Sequence, residues 1–164
     1  MKKSSVLVAY FSHSGNTRMI AEQIHKNAGG KMFEILSVNN YPADYDAVVE
    51  QAKKELDTEF RPRLKTKVTD MDSYTTVFVG YPNWWGTMPR PVAAFLSDYD
   101  FAQKTIAPFC THEGSGMGRS VTDIRNLCPA ATILDGLAIR GGSVNHDQDA
   151  VAGWLREIGI TGKP

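Results

Sequence analysis

The chain has 164 residues, of which 42% are hydrophobic, and its 18 basic and 18 acidic side chains give a formal net charge of zero. This length fits one domain over residues 1–164 with a substantial core, and the composition is typical of a folded chain rather than a disordered one. Nucleic acid is not expected as a partner, because nucleic-acid-binding domains usually carry a cationic patch and the basic residues here are spread out.

No apolar run approaches the roughly 20 residues needed to cross a bilayer, so no membrane association is expected. The basic start Met1–Ser5 precedes an apolar run, Val6–Phe11, that is too short for a signal-peptide core. This start predicts a first strand and a cytoplasmic protein. Cys110 and Cys128 fit no metal-binding spacing, and no Cys/His/Asp cluster suggests a metal site, so we expect buried, reduced thiols.

The first half of the chain alternates strands with helices. The continuous apolar run Val6–Phe11 is typical of a strand buried on both faces. Apolar residues at helical spacing then predict a helix that ends at Gly29–Gly30; they are Ile20, Ala21, Ile24 and Ala28. A second strand is predicted over Met32–Val38, and Asp44 can cap a second helix that runs through Leu56.

The second half continues the same alternation. The polar segment Asp57–Ser73 is predicted to be a long connection with room for a short strand. Strands are predicted over Thr75–Tyr81, Lys104–Cys110 and Thr132–Leu137, and helices over 89–99, Ser120–Leu127 and Asp147–Ile158. This alternation predicts an α/β fold in which helices cover both faces of a parallel sheet. Ligands of such sheets bind at the carboxyl ends of the strands, where the strand order reverses.

The loop after the first strand is suited to a phosphate group. Its residues are Ser12, His13, Ser14, Gly15, Asn16 and Thr17. A helix N-terminus presents unpaired N–H groups to an anion, and hydroxyl and amide side chains add donors. The alternative is an ordinary helix cap and turn, which use the same residue types. The loop has no lysine and no Gly-x-Gly-x-x-Gly pattern, so neither a P-loop nor a dinucleotide fingerprint is predicted.

The loop after the third predicted strand, Pro82–Met88, contains the adjacent tryptophans Trp84 and Trp85, followed by Gly86. Loops run over the surface, so packing alone does not readily explain both indoles. A flat aromatic ligand that stacks on one ring would explain them, whereas the alternative is that one indole belongs to the core. We expect one tryptophan to pack and the other to lie near a ligand, without deciding which.

The loop after the fourth strand is rich in glycine. It contains Thr111, His112, Glu113, Gly114, Ser115, Gly116, Met117 and Gly118. Such a backbone can donate and accept hydrogen bonds close to a planar ring, although a flexible connector would have the same composition. His112 and Glu113 could act as an acid–base pair, but a solvated pair is the commoner arrangement.

Together, the three loops resemble those of the flavodoxins. The sequences GYPNWWGTMP at 80–89 and FCTHEGSGMGRS at 109–120 are most similar to a bacterial flavodoxin-like group. The resemblance implies a three-layer α/β/α sandwich with a five-stranded parallel sheet in the order 2-1-3-4-5, and one non-covalently bound FMN. It also implies that the first loop binds the phosphate, that Trp85 flanks the flavin, and that the Gly86 carbonyl turns to meet protonated N5.

The cofactor-binding residues implied by this resemblance are Ser12, His13, Ser14, Gly15, Asn16 and Thr17 in the first loop, Pro82, Asn83, Trp84, Trp85, Gly86 and Thr87 in the second, and Thr111, His112, Glu113, Gly114, Ser115, Gly116 and Gly118 in the third. No residue is predicted to be catalytic. We expect a monomer or weak dimer.

The function implied is low-potential electron transfer between redox protein partners, through the semiquinone and hydroquinone of FMN. The alternative is an NAD(P)H-dependent FMN or quinone reductase with a small quinone-like acceptor. Three departures from the family pattern keep this alternative open. The chain is neutral, whereas many electron-carrying flavodoxins are acidic, and Thr87 stands where an acidic residue often lies. The third loop also lacks the aromatic residue that often stacks on the second flavin face, and an open face would suit a small substrate as well as a protein partner.

Overall fold

The computed structural model describes residues 6–144, 146 and 148–160, which form a parallel sheet flanked by helices. The strands are β1 (Val6–Tyr10), β2 (Lys31–Glu34), β3 (Thr76–Pro82), β4 (Thr105–His112), β5 (Thr132–Ile133) and β6 (Leu137–Arg140). The helices are α1 (Asn16–Ala28), α2 (Tyr45–Asp57), α3 (Arg90–Asp98), α4 (Ser120–Leu127) and α5 (Gln148–Glu157). Short 3₁₀ helices occur at Met71–Ser73 and Gly141–Ser143.

The strand order β2-β1-β3-β4-β5 confirms the predicted fold class and order. Each strand pairs in parallel with its neighbours, as the alternation of strands and helices predicted. The basic start Met1–Ser5 and the predicted helix start Asp147 lie outside the described residues.

The core is divided between the two faces of the sheet. In β1 every residue is buried, because this strand lies between β2 and β3 and is covered on both sides. Successive side chains of a strand point to opposite faces. Leu7 and Ala9 therefore pack in one cluster with side chains of α3 and α4, whereas Val8 and Tyr10 pack in a second cluster with side chains of α1 and α5.

The fifth strand position differs from the prediction of one strand over Thr132–Leu137. It is occupied by two segments, β5 and β6, which both pair with β4. On this side of β4, the carbonyls of Lys104 and Ile106 accept hydrogen bonds from the N–H groups of Thr132 and Leu134. Pro108 is the next residue of β4 whose backbone faces the same side. Proline has no N–H to donate, so the ladder is interrupted there and resumes where Phe109 pairs with Leu137.

The second strand is also shorter than the predicted Met32–Val38. Beyond Glu34 the Ile35 N–H still donates to the Tyr10 carbonyl at 2.7 Å, and Ser37 forms an isolated antiparallel bridge with Leu64. The connection after α2 thus returns along this edge, where the Val38 N–H donates to the Arg63 carbonyl at 2.8 Å. In the segment 57–73, where a short strand was allowed for, the structure has this isolated bridge rather than a strand, and the pairing covers edge groups that would otherwise be unpaired.

The strand order of the sheet reverses between β1 and β3, since β2 lies on one side of β1 and β3 lies on the other. The loops after β1, β3 and β4 meet at this switch point, at the carboxyl edge where ligands of parallel sheets bind. Among the helices that the structure describes, none combines the length and the apolarity needed to cross a bilayer.

Candidate functional site

A cavity of about 760 Å³ opens at the carboxyl edge of the sheet, within the usual size range of ligand pockets. All three predicted loops contribute to it. The lining residues from these loops are His13, Ser14, Asn16, Pro82, Asn83, Trp84, Trp85, Thr111, His112, Glu113 and Ser115. The structure therefore brings together loops that are separated by up to about 100 residues in sequence.

The other predicted residues lie around this cavity rather than on its wall. They are Ser12, Gly15, Thr17, Gly86, Thr87, Gly114, Gly116 and Gly118. Ser12 lines an adjoining cavity of about 530 Å³ together with His13 and Ser14. Thr87 is buried, and its hydroxyl donates a hydrogen bond to the Asp123 carboxylate.

The first loop arranges amide donors at the start of α1. Ser12 Oγ accepts hydrogen bonds from the N–H of Gly15 at 3.1 Å and from the N–H of Arg18 at 3.3 Å. Asn16 and Thr17 open the helix, and their N–H groups have no acceptor among the residues described. Free amide donors at a helix N-terminus match the requirements of a phosphate group.

Two further side chains of the first loop are already engaged by the protein. Thr17 is buried, and its Oγ1 lies 2.8 Å from the Oγ1 of Thr111, which links the first loop to the third. His13 Nε2 lies 2.8 Å from the Pro42 carbonyl oxygen, and its ring meets Trp84 edge-on. The side chain of Ser14, by contrast, is exposed at the cavity.

The two adjacent tryptophans have different environments. Trp84 is half-buried and makes edge-to-face contacts with Phe11 and Tyr41 at centroid distances of 5.5 and 5.2 Å. Trp85 is 45% exposed, and its indole N–H donates to the Val49 carbonyl of α2 at 2.8 Å. The ammonium group of Lys53 lies 5.8 Å from the Trp85 ring centroid. Trp84 is thus the packing residue, and Trp85 is the exposed indole at the cavity.

A tight turn holds Trp85 in place. The N–H of Trp84 donates to the Thr87 carbonyl at 2.9 Å, and the φ angles of Trp85 and Gly86 are 59° and 84°. Positive φ at both central residues is the pattern of a type I′ turn, in which glycine is favoured. The pairing across the turn therefore sets the direction of the exposed indole.

Asn83 connects the second loop to the third. Its backbone N–H donates to the Thr111 carbonyl at 2.8 Å, and its side-chain amide donates to the Gly116 carbonyl at 2.7 Å. The side-chain oxygen accepts from the Gly86 N–H at 2.8 Å. One asparagine thus ties both loops to the turn that carries Trp85.

The Gly86 carbonyl is also held by the protein. It accepts a hydrogen bond of 2.7 Å from the N–H of Arg119, just before α4. Gly118 has a φ of 58°, and a Cβ atom at this position would lie 2.2 Å from the Gly86 oxygen. The close approach of these backbones requires glycine at position 118. Any rotation of the Gly86 peptide toward a ligand must break the bond to Arg119.

The third loop supplies polar groups without a paired acid and base. His112 Nδ1 accepts a hydrogen bond of 2.9 Å from the N–H of Gly114, so the imidazole is turned toward its own loop. Glu113 is exposed. Behind the loop, burial raises the pKa of the Cys110 thiol to about 12, and the thiol stays protonated at neutral pH. Cys110 and Cys128 are both free and buried, as predicted.

Helix α2 forms a wall of the cavity that the sequence interpretation did not include. Its contributing residues are Tyr45, Val48, Val49 and Ala52. Tyr45 is 74% exposed, and an aromatic residue directly after the helix cap Asp44 was the available signal. The apolar stripe of α2 predicted only core packing, because periodicity does not show which loop a helix will face.

Comparisons with known proteins agree with this architecture. The family model described as flavodoxin matches residues 5–158. A Bacteroides eggerthii protein with a provisional assignment as a flavoprotein is 30% identical, with a TM-score of 0.85 over 97% of this chain and 100% of that chain. A Lactobacillus acidophilus flavoprotein in complex with FMN is 22% identical, with a TM-score of 0.73 over 92% of this chain and 99% of that chain.

More distant similarity extends to an enzyme. An NADH:FMN oxidoreductase in its apo form shares 13% identity, with a TM-score of 0.57 over 99% of this chain and 92% of that chain, which indicates a common fold. No functionally curated protein matches the chain. The strand order, the loops gathered at the switch point and a family match over nearly the whole length lead to one conclusion: the chain belongs to the flavodoxin family.

Proposed function

We propose that this flavodoxin-family chain binds FMN in the cavity at the carboxyl edge of the sheet and carries electrons between redox partner proteins. The main observation behind the proposal is that three loops line one cavity. The first amide groups of α1 and the exposed indole of Trp85 lie at this cavity. The FMN complex of the Lactobacillus acidophilus flavoprotein supports the choice of cofactor.

The first loop holds the phosphate of FMN. The N–H groups of Asn16 and Thr17 have no acceptor within the described part of the chain and can donate to the phosphate, and the exposed Ser14 hydroxyl adds a side-chain donor. Thr17 acts through its backbone, because its hydroxyl is occupied by Thr111. Hydrogen bonds from neutral donors to a charged phosphate are stronger than those between neutral groups.

The second and third loops, with α2, hold the ring system. Trp85 and Val49 offer apolar surface for a flat ligand, while Asn83 keeps the two loops in register. FMN supplies the redox chemistry, and the protein positions it and controls access to it. The open indole and the exposed Tyr45 leave the cavity accessible from solvent.

A second function, NAD(P)H-dependent reduction of FMN or a quinone, is favoured by the charge of the chain. Steering between carrier proteins uses complementary charge, and a net charge of zero supplies little long-range field. An accessible cavity on a chain with a net charge of zero suits a small electron acceptor.

Two measurements test these functions. The purified protein should show flavin absorption, and apo-protein should quench the fluorescence of added FMN with a 1:1 end point. In anaerobic stopped-flow mixing, a pure carrier should be reduced slowly by NADPH or NADH, because neither has a binding site in it. Rapid direct bleaching by either nucleotide would contradict the carrier and support the reductase. Protein that neither contains nor takes up FMN would contradict both.

A further inference from the structure

A second cavity, of about 640 Å³, adjoins the proposed FMN cavity and shares Trp85 with it. Three arginines, Arg61, Arg90 and Arg119, contribute to its lining, together with Thr87. We refer to this cavity as the arginine cleft. It lies beside the turn that carries Trp85, and Arg119 joins it to that turn through the bond from its N–H to the Gly86 carbonyl.

The other charges of the arginine cleft are largely paired. Lys53 contacts Asp57 at 2.7 Å, and Arg119 Nε contacts Asp123 at 3.4 Å. The remaining carboxylate on the wall is that of Glu59. These pairs leave two arginines facing one carboxylate, so the cleft has an excess of positive charge.

Arg61 and Arg90 provide this excess. Within the part of the chain that the structure describes, neither forms an ion pair. Arg90 is half-buried, and its Nε donates to the Phe60 carbonyl at 2.7 Å, which fixes the direction of the guanidinium. Its terminal nitrogens have no acceptor among the described residues.

Arg61 and Arg90 line the same cleft, and their like charges repel each other. Burial lowers the pKa of Arg90 and the charge of Arg61 lowers it further, whereas the carboxylates of Glu59, Asp123 and Glu55 act in the opposite direction. An anion between them would relieve the repulsion and supply acceptors for the terminal N–H groups. Oriented guanidinium groups bind planar carboxylates and phosphates through paired hydrogen bonds.

We propose that the arginine cleft binds the phosphate or carboxylate group of a small electron donor or acceptor whose reactive part enters the proposed FMN cavity beside Trp85. Anion binding in the cleft requires only Arg61 and Arg90, whereas the redox role of the ligand rests on the proposed FMN binding and on the second proposed function, the reductase. Because Trp85 lines both cavities, the arginine cleft and the FMN cavity adjoin at this side chain.

Calorimetric titration of the FMN-loaded protein with sodium pyrophosphate tests the binding site at low ionic strength. We expect saturable binding that Arg61→Gln and Arg90→Gln each weaken at least tenfold. Arg125→Gln is the matched control, because Arg125 is exposed on α4 outside the cleft, and it should leave the affinity unchanged. Arg61 is exposed, so its substitution tests the cleft even if Arg90→Gln disturbs folding.

Citrate in a second titration separates the two ligand sources. Tighter pyrophosphate binding identifies a phosphate-bearing ligand, and tighter citrate binding a carboxylate-bearing one. No saturable binding of either probe, or equal binding by Arg61→Gln and Arg125→Gln, would overturn the inference. A tenfold loss of FMN affinity in Arg61→Gln would also overturn it, since the cleft would then serve FMN itself. Failure of the proposed function is recognised separately: the protein then takes up no FMN, while the FMN-free protein still binds pyrophosphate and Arg61→Gln still weakens that binding.

Discussion

At the scale of single residues, the contact between Gly118 and the Gly86 carbonyl leads to a specific prediction about stability and FMN affinity. Gly118→Ala places a methyl group against that oxygen in a left-handed backbone. We expect the free energy of unfolding to fall by about 1–2 kcal/mol from the backbone conformation, and by about a further 1–3 kcal/mol from overpacking. FMN affinity should fall as well, because the displaced turn carries Trp85.

Gly159→Ala is the matched control for this substitution. Gly159 has a φ of 82°, and a Cβ atom there would meet nothing within 4 Å. The control should show the backbone cost alone, with FMN affinity unchanged. Chemical denaturation and fluorescence titration of both variants provide the measurements, and equal losses would mean that the approach to Gly86 has no consequence.

The Ser14 hydroxyl tests the phosphate end of the proposed site. Ser14→Ala should weaken FMN by roughly 1.5–3 kcal/mol, the usual value of a hydrogen bond to a charged group. Riboflavin, which lacks the phosphate, should bind Ser14→Ala and the unaltered chain equally well. Fluorescence titration with both ligands measures the difference, and parallel losses for the two would show that the loop does not hold phosphate.

At the scale of elements, α2 connects helix stability to ligand binding. The carboxylate of Asp44 caps this helix by accepting the N–H of Ala47 at 3.0 Å. Asp44→Ala should lower the free energy of unfolding by about 1 kcal/mol through loss of the cap. We also expect weaker FMN binding, because Tyr45 and Val49 reach the cavity from the first two turns of the helix.

Asp46→Ala is the control for this prediction, since Asp46 lies in the same first turn without a capping hydrogen bond. Its effect on stability should be smaller, near the few tenths of a kcal/mol of a charge near a helix end. Thermal unfolding and FMN titration compare the two variants. An Asp44→Ala protein with unchanged FMN affinity would contradict the role of α2 as a wall of the site.

The elements themselves were largely predictable, and the exceptions are caused by neighbouring segments of the sheet. Continuous apolar runs identified β1 and β3 because strands buried on both faces need no alternation. The two segments β5 and β6 were missed because the interruption is caused by Pro108 in the neighbouring strand, and a strand prediction considers one segment at a time. The extent of β2 was overestimated for the same reason, since its later part pairs with Leu64.

At the scale of the whole molecule, the two buried thiols make stability depend on pH. Burial raises the pKa of Cys110 to about 12 and that of Cys128 to about 11, from an ordinary value of 9.0. The folded chain therefore keeps these protons at a pH where the unfolded chain releases them, and stability falls as pH rises above 9. We expect a loss of about 1 kcal/mol for each thiol between pH 9 and pH 10.

Urea unfolding at several pH values measures this slope. The variant Cys110→Ala/Cys128→Ala should be less stable at neutral pH, through lost packing, but should lose less stability between pH 9 and pH 10. The range ends at pH 10 because burial also raises the pKa of Tyr81, and ionisation of tyrosine in the unfolded chain contributes at higher pH. Identical slopes for both proteins would show that the thiols are not the cause.

The sequence alone determined the fold class, the strand order through its family resemblance, and the three loops that meet at the switch point. The fold class and the position of the loops follow from short-range patterns, because a parallel sheet places the carboxyl ends of its strands at one edge. Only the tertiary structure decided that Trp84 packs while Trp85 stays exposed, that α2 forms a wall of the cavity, and that Arg61 and Arg90 share a cleft. Each of these depends on contacts between segments that are distant in sequence. The spacing of residues along one segment does not show which other segments will contact it.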